Sequence, residues 1–113
     1  MKVIRKPEVV LINNSSVVAV EEYPHNDSDL NLAIAEISGR YPSQGFVVNE
    51  ISKEIAYVLT GDILLIMRDR QVFLSAGDSV LLDKNEAFAW GGHGRIITIC
   101  SPSWSVKQHK EVS

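Results

Sequence analysis

The centre of the chain alternates between apolar runs and short polar breaks. Residues 55–59 and 63–67 are rich in β-branched and other apolar side chains, and Gly61 separates them. Residues 71–74 form a third run, set off from the second by the polar residues 68–70. Apolar runs bounded by glycine and polar residues are typical of strands joined by tight turns. The spacing leaves no room for a helix, so we predict a compact antiparallel meander.

Further runs with strand composition lie on either side of this meander, at residues 8–12, 17–22, 46–48 and 96–100. Residues 30–37 could form a helix by propensity, but we interpret them as a strand because Gly39 ends the segment abruptly and Pro42 follows. Many short strands separated by regular turns are typical of a β-sandwich or barrel. The pattern therefore predicts an all-β fold.

The end of the chain is expected to be the exception to this all-β pattern. Ser103 is a suitable N-cap residue. We predict a short closing helix from there through His109, with Trp104 packing back onto the barrel.

Composition narrows the class of protein. With 113 residues, the chain is expected to form one domain over residues 1–113. The formal net charge of -3 and the absence of a Lys/Arg cluster argue against a nucleic-acid partner, because such binding neutralises phosphates. The single cysteine, Cys100, cannot form an internal disulfide, which suits a cytoplasmic location. No apolar run is long enough for a signal-peptide core or a membrane span, so no membrane partner is expected.

Two short motifs in residues 45–102 resemble those of the cupin family. A cupin's first motif ends in a glutamate, six residues and a glycine, and its second opens Gly-Asp before another strand. Glu54 with Gly61, and Gly77 with Asp78, match this spacing. The resemblance implies a cupin-type double-stranded β-helix, also called a jelly-roll barrel, and pairing of two barrels through their outer sheets. Apolar side chains on both faces of the central strands also need an outer cover, so we expect a homodimer.

The resemblance also says where a metal would bind. In metal-binding cupins, two histidines one residue apart, a glutamate and a later histidine converge inside the barrel. Counted from Glu54, the histidine pair would fall at Val47 and Asn49, or at Val48 and Glu50 with a spacer one residue shorter, and the later histidine would fall at Phe88. A carboxylate with an amide is a poor site for iron, manganese or nickel. We therefore predict no metal and no cofactor.

Glu54 is the candidate catalytic residue. Strand alternation sends it to the same face as Ala56 and Val58, toward the barrel interior. It could act as a general acid or base, or accept a hydrogen bond from a ligand hydroxyl. It could equally be a structural carboxylate held by Asn49 or a backbone amide.

The other candidate ligand-binding residues are Asn49 and three aromatic residues, Phe88, Trp90 and Tyr41, expected near the pocket mouth. Asn49 is either a ligand contact or a satisfied core amide. The aromatic residues either pack in the core or form a wall that suits a flat or sugar-like ligand.

These residues predict a metal-free cupin that binds a small molecule, either a sugar or a small carboxylic acid, inside the barrel. An alternative is a small isomerase or epimerase that uses Glu54 as acid or base, and a third is a metal-dependent oxygenase. The isomerase normally needs an acid and a base in one pocket. Only Glu54 is evident, because His25 and His93 are expected in loops, the latter a flexible glycine-rich loop over residues 91–94, and His109 in the tail.

Overall fold

Nine β-strands dominate the computed structural model, which describes all of residues 1–113. They are β1 (Val10–Asn13), β2 (Val18–Tyr23), β3 (Asn31–Ser38), β4 (Phe46–Asn49), β5 (Lys53–Ile66), β6 (Gln71–Ser75), β7 (Ser79–Leu82), β8 (Ala89–Ser101) and β9 (His109–Val112). The helical segments are two single 3-10 turns, Lys6–Glu8 and Val106–Gln108. The all-β prediction is confirmed, including the strand interpretation of residues 30–37. None of the helical segments has the length and apolar character needed to cross a membrane.

The strands form a large antiparallel sheet and a small one. The large sheet has the order β1-β2-β3-β8-β5-β6, and β7 also pairs with β5. The long β5 pairs with β7 along its first half and with β6 along its second half. The small sheet consists of β4 and β9. Val47 of β4 pairs with Phe88, just before β8, which links the two sheets, and side chains from both join one buried cluster.

Strand register arranges the inward-facing residues of the large sheet in rows. One row crosses β3, β8, β5 and β7 through Asn31, Cys100, Glu54 and Leu82. The adjacent inward row on the same strands consists of Ala33, Thr98, Ala56 and Val80. Since paired residues share a face of the sheet, the register places Glu54 in the interior, as alternation predicts.

The predicted C-terminal helix is not formed. After the 3-10 turn, the chain continues as β9, which pairs with β4. Gln108 anchors this course, because its side-chain oxygen accepts hydrogen bonds from the backbone N–H groups of Ile51 at 3.0 Å and Ser52 at 2.7 Å. Its amide nitrogen donates to the Ser52 hydroxyl at 2.8 Å. These bonds hold the segment beside β4, where pairing as a strand satisfies the backbone of both segments.

The glycines were expected to end strands, and at two places this is wrong. β5 runs straight through Gly61, with a β-bulge between Val58 and Thr60. Residues 91–94, expected to form a flexible loop, lie within β8 and pair with β5, and His93 pairs with Asp62. Gly61 has φ of +87°, and a Cβ atom there would collide with the His93 carbonyl oxygen. Glycine in a strand thus marks close approach of two backbones here, as well as a turn elsewhere.

We expect Gly61→Ala to be much more destabilising than Gly77→Ala. Both glycines have positive φ, but no atom lies within 4 Å of a Cβ atom built at Gly77. Gly77→Ala should therefore lose about 1–2 kcal/mol of unfolding free energy for left-handed strain alone. Gly61→Ala should lose about 1–3 kcal/mol more for the collision. Urea denaturation measures both, and equal losses would show that the two strands do not approach closely at Gly61.

Candidate functional site

A cavity of about 300 Å³ lies on the inner face of the large sheet, with Trp104 and His109 of the C-terminal segment among its lining residues. Fourteen of its twenty lining residues are hydrophobic. Ala33 and Ala35 of β3 are buried on its sheet side, and their short side chains leave room where larger ones would fill the barrel. A cavity of this size and character is suited to a small organic molecule.

Glu54 contributes a carboxyl group to this cavity. Its side chain is 8% exposed. One carboxyl oxygen, Oε1, accepts hydrogen bonds from the Cys100 thiol at 3.5 Å and from the Asn49 amide nitrogen at 3.4 Å. The other oxygen, Oε2, makes no hydrogen bond within the protein, yet no buried polar side-chain atom is left without a partner. Oε2 therefore faces space that water or a ligand can reach.

Burial sets the protonation of this carboxyl group. It raises the pKa of Glu54 to about 7, and the hydrogen bonds from Cys100 and Asn49 oppose the shift only in part. No lysine or arginine lines the cavity to stabilise the ionised form. Burial and the nearby Glu54 also raise the pKa of the Cys100 thiol, which stays protonated and donates. A carboxyl group with a pKa near 7 can gain or lose a proton near neutral pH.

Asn49 connects Glu54 to the C-terminal segment. It is 3% exposed and lies behind the cavity lining. Its side-chain oxygen accepts hydrogen bonds from the Trp104 indole N–H and from Nδ1 of His109, both at 3.0 Å. Its amide nitrogen donates to Glu54. One buried amide thus fixes two aromatic side chains of the C-terminal segment and one carboxyl group of β5.

Tyr41 and His109 form a second polar group in the lining. The Tyr41 hydroxyl lies 3.0 Å from Nε2 of His109, and the two rings stack with an interplanar angle of 5°. Burial lowers the pKa of His109, and the nearby Glu111 opposes this. Burial, followed by Glu111, raises the pKa of Tyr41. Both side chains are therefore neutral at neutral pH, and a single hydrogen bond joins the phenol to the imidazole.

The structure brings the predicted site residues together. Glu54, Phe88, Trp90 and Tyr41 line the cavity, and Asn49 lies directly behind Glu54. Phe88 and Trp90 are buried and meet edge to face, with ring centroids 5.7 Å apart. Their roles as ligand contacts stay a prediction.

Among the lining residues that sequence reasoning missed are Cys100, Trp104 and His109, which take part in the polar contacts of the cavity. The predicted helix ends at His109 in the tail, whereas His109 is the first residue of β9. Trp104 was expected to pack on the barrel, but its bond to Asn49 joins residues 55 positions apart, and no local pattern signals such a contact. Cys100 could have been found, since alternation along β8 places it on the same face as Thr98 and Ile96.

The donor set does not fit the metal that many cupins bind. The positions of the histidine pair hold Val47 and Asn49, and the later histidine position holds Phe88. All three lie near Glu54 or the cavity, but Val47 and Phe88 have no side-chain atom able to bind a metal. No group of three or more His, Cys, Asp or Glu side chains in the chain is arranged to hold an ion.

Comparisons with known proteins bear on the fold. No protein-family model matches the sequence, and no curated protein matches it significantly. Solved structures do match. A variant of Streptomyces Pac13 with uridine has a TM-score of 0.88 at 14% identity, covering 99% of this chain and 90% of that one, and Pac13 is described as a unique nucleoside dehydratase.

Two further solved structures share the fold of this chain. The polyketide cyclase RemF from Streptomyces resistomycificus has a TM-score of 0.77 at 16% identity, covering 100% of this chain and 86% of that chain. An RmlC-like cupin from Shewanella frigidimarina has a TM-score of 0.72 at 14% identity, covering 88% of each chain. Identities this low establish a shared fold and nothing finer. The chain has the cupin fold, and it lacks the histidines with which metal-binding cupins hold their ion.

Proposed function

We propose that the chain binds a small organic molecule in the barrel cavity, with Glu54 as the central polar contact and no metal at the histidine positions. The observation that carries this proposal is the Oε2 atom of Glu54, which has no protein partner and faces an otherwise largely apolar cavity. A buried carboxyl group is costly unless something satisfies it. A ligand polar group can do so while its apolar part fills the space between Phe88, Trp90 and Tyr41.

The fold neighbours agree with a small-molecule role. Pac13 was solved with uridine, and RemF is a polyketide cyclase. Uridine is a ring compound that an aromatic-lined cavity can hold. Uridine is therefore a sensible first probe, in a panel with sugars and small acids.

Filling the cavity should abolish binding without harming the fold. Ala33→Ile adds bulk on the cavity floor, where Ala33 is buried, and cavity filling commonly raises stability by about 0.5–2 kcal/mol. Ala19→Ile, on the exposed outer side of β2, is the matched control. Ligands that raise the melting temperature of the unmodified chain and of Ala19→Ile should have no effect on Ala33→Ile, because a ligand stabilises only the state it binds. A probe that stabilises all three equally binds elsewhere.

A second candidate function is proton-transfer catalysis of the isomerase or lyase type. The observation that favours it is the pairing of two proton-carrying groups in one lining, Glu54 with a pKa of about 7 and the Tyr41–His109 contact. An acid and a base placed together are what such reactions require. Glu54 would exchange the proton at Oε2, while the Tyr41 oxygen would accept a hydrogen bond from a substrate hydroxyl.

The titration of Glu54 should make the unfolding free energy depend on pH. Its pKa rises from the usual 4.5 to about 7 on folding, so between these pH values the folded chain holds a proton that the unfolded chain has lost. The resulting stability is complete below pH 4.5 and is lost as pH rises through 7. At about 1.4 kcal/mol per pH unit, the loss amounts to a few kcal/mol.

Glu54→Gln removes this titration. The unfolding free energy of the unmodified chain, minus that of Glu54→Gln, should fall by a few kcal/mol between pH 4 and 8 in urea titrations. Glu36→Gln, at an exposed position on β3, is the matched control for the same chemical change. A difference that stays constant with pH would show that burial does not raise the pKa of Glu54.

We propose further that two copies pair through the outer face of the large sheet. Leu32, Ile99, Ile55 and Leu81 form one outward row across β3, β8, β5 and β7. Leu81 is 59% exposed, and Ile55 and Ile99 are also exposed. A contiguous apolar row of this kind favours association, and a second copy offers the same row in return. A single domain over residues 1–113 and a cytoplasmic location stay predictions.

Ile55→Lys should convert a dimer into a monomer. The charged side chain would have to be buried in the middle of the outer row, which is unfavourable. Phe73→Lys is the control, because Phe73 is 79% exposed on β6, outside that row. Light scattering should give twice the chain mass of 12.5 kDa for the unmodified chain and for Phe73→Lys, and the single mass for Ile55→Lys. A single mass for the unmodified chain would refute pairing.

A further inference from the structure

The direction of every hydrogen bond in the polar network can be assigned from one residue. An indole N–H can only donate, so the Asn49 atom that faces Trp104 at 3.0 Å must be the oxygen. The same oxygen faces Nδ1 of His109, so Nδ1 carries the proton. In a neutral imidazole, Nε2 is then an acceptor, and the Tyr41 hydroxyl donates to it. Trp104 thereby fixes the His109 tautomer and the direction of the Tyr41 hydroxyl.

Two other donors inside the cavity are also occupied. The Cys100 thiol donates to Oε1 of Glu54, and the Thr98 hydroxyl donates to the Ala33 carbonyl oxygen at 3.5 Å. Once Glu54 is ionised, what remains free is a set of acceptors, namely Oε2 of Glu54 and the oxygen lone pairs of Tyr41 and Thr98. The amide groups of Asn14 and Asn31 are the exceptions; Asn14 is exposed, and one N–H of Asn31 already bonds Glu22.

The charges of the lining also disfavour an anionic ligand. Its ionisable carboxyl groups are Glu22 and Glu54, and it contains no lysine or arginine. His109 is kept neutral by burial. A carboxylate or phosphate placed in this cavity would lose its hydration and gain neither a cation nor a set of donors, which is strongly unfavourable.

We propose that the cavity selects an uncharged ring compound bearing hydroxyl or N–H donors and rejects carboxylates and phosphates. This inference rests on the proposed small-molecule function and narrows its ligand class. Of the two classes expected from the sequence, it keeps sugar-like molecules and discards small carboxylic acids. The ligand's ring fills the apolar space, and its donors reach Oε2 of Glu54 and the Tyr41 oxygen. A site built from acceptors rejects an analogue without donors because its own buried oxygens are then left unpaired.

A matched series of probes tests this at pH 8, where Glu54 is largely ionised. The series is resorcinol with two donors, 3-methoxyphenol with one, 1,3-dimethoxybenzene with none, and 3-hydroxybenzoate with a negative charge. Calorimetry should show a dissociation constant that rises roughly tenfold for each donor removed, and no binding of 3-hydroxybenzoate. Ala33→Ile shows whether any binding occurs in the cavity, and Tyr41→Phe should lower the preference for resorcinol over 3-methoxyphenol.

Each outcome bears on one claim. If 3-hydroxybenzoate or dimethoxybenzene binds as tightly as resorcinol, and Ala33→Ile abolishes that binding, the donor inference is overturned while the binding function stands. If no probe in this series or the wider panel binds, both fail. Nitrogen NMR of His109 gives a test without ligand: protonation at Nδ1 is expected, whereas protonation at Nε2 would make the Tyr41 hydroxyl a free donor and overturn the inference.

Discussion

The site depends on burying the Glu54 carboxyl group inside a β-barrel without a cation beside it. Ionisation there is opposed by burial, and the two hydrogen bonds to Oε1 are long, at 3.4 and 3.5 Å. The carboxyl group is therefore neither firmly ionised nor firmly protonated near neutral pH. In metal-binding cupins, the same position would be balanced by an ion and its histidines. Here valine, asparagine and phenylalanine occupy those positions, and the carboxyl group keeps one oxygen for another partner.

Asn49 links the Glu54 carboxyl group to the C-terminal segment of the chain. Its amide nitrogen donates to Glu54, and its oxygen accepts from Trp104 and His109. The C-terminal segment is thus bound to the barrel through polar side chains inside it, as well as through the pairing of β9 with β4. Gln108 adds a second buried anchor beside it. Loss of the Asn49 amide would leave the Trp104 and His109 donors without their acceptor, at a cost of about 1–3 kcal/mol for each, and would remove one of the two hydrogen bonds to Oε1 of Glu54.

Much of the fold could be predicted because local sequence patterns determine the strands and the faces that they bury. Alternation along β5 places Glu54, Ala56 and Val58 inward, and the glutamate-to-glycine spacing indicates the barrel type. The errors arose where one residue type has two structural uses. Gly61 and residues 91–94 look like turns, yet they allow β5 and β8 to pair closely along their length. Ser103 looks like a helix cap, yet its hydroxyl donates to the Asp27 carbonyl oxygen, and the chain after Gln108 pairs with β4.

The site was predictable only in part, for a related reason. Glu54 and Phe88 could be placed by counting from the motifs, and Tyr41 and Trp90 could be expected near the pocket mouth only as aromatic residues. The contact of Tyr41 with His109 joins residues 68 positions apart. It depends on the bridge between Tyr41 and Trp90 and on the pairing of His109 with Asn49, which no sequence pattern specifies. The residues that set the hydrogen-bond direction and the protonation of the cavity were therefore the ones that only the structure could supply.

The most direct test of this account is a carbon NMR titration of the Glu54 side-chain carboxyl group, in protein labelled at the glutamate δ-carbons and assigned with Glu54→Gln. The account predicts a midpoint near pH 7, with the resonance of a neutral carboxyl group below it. A midpoint at the ordinary glutamate value of 4.5 would contradict it, because the cavity would then hold a fixed, solvated carboxylate.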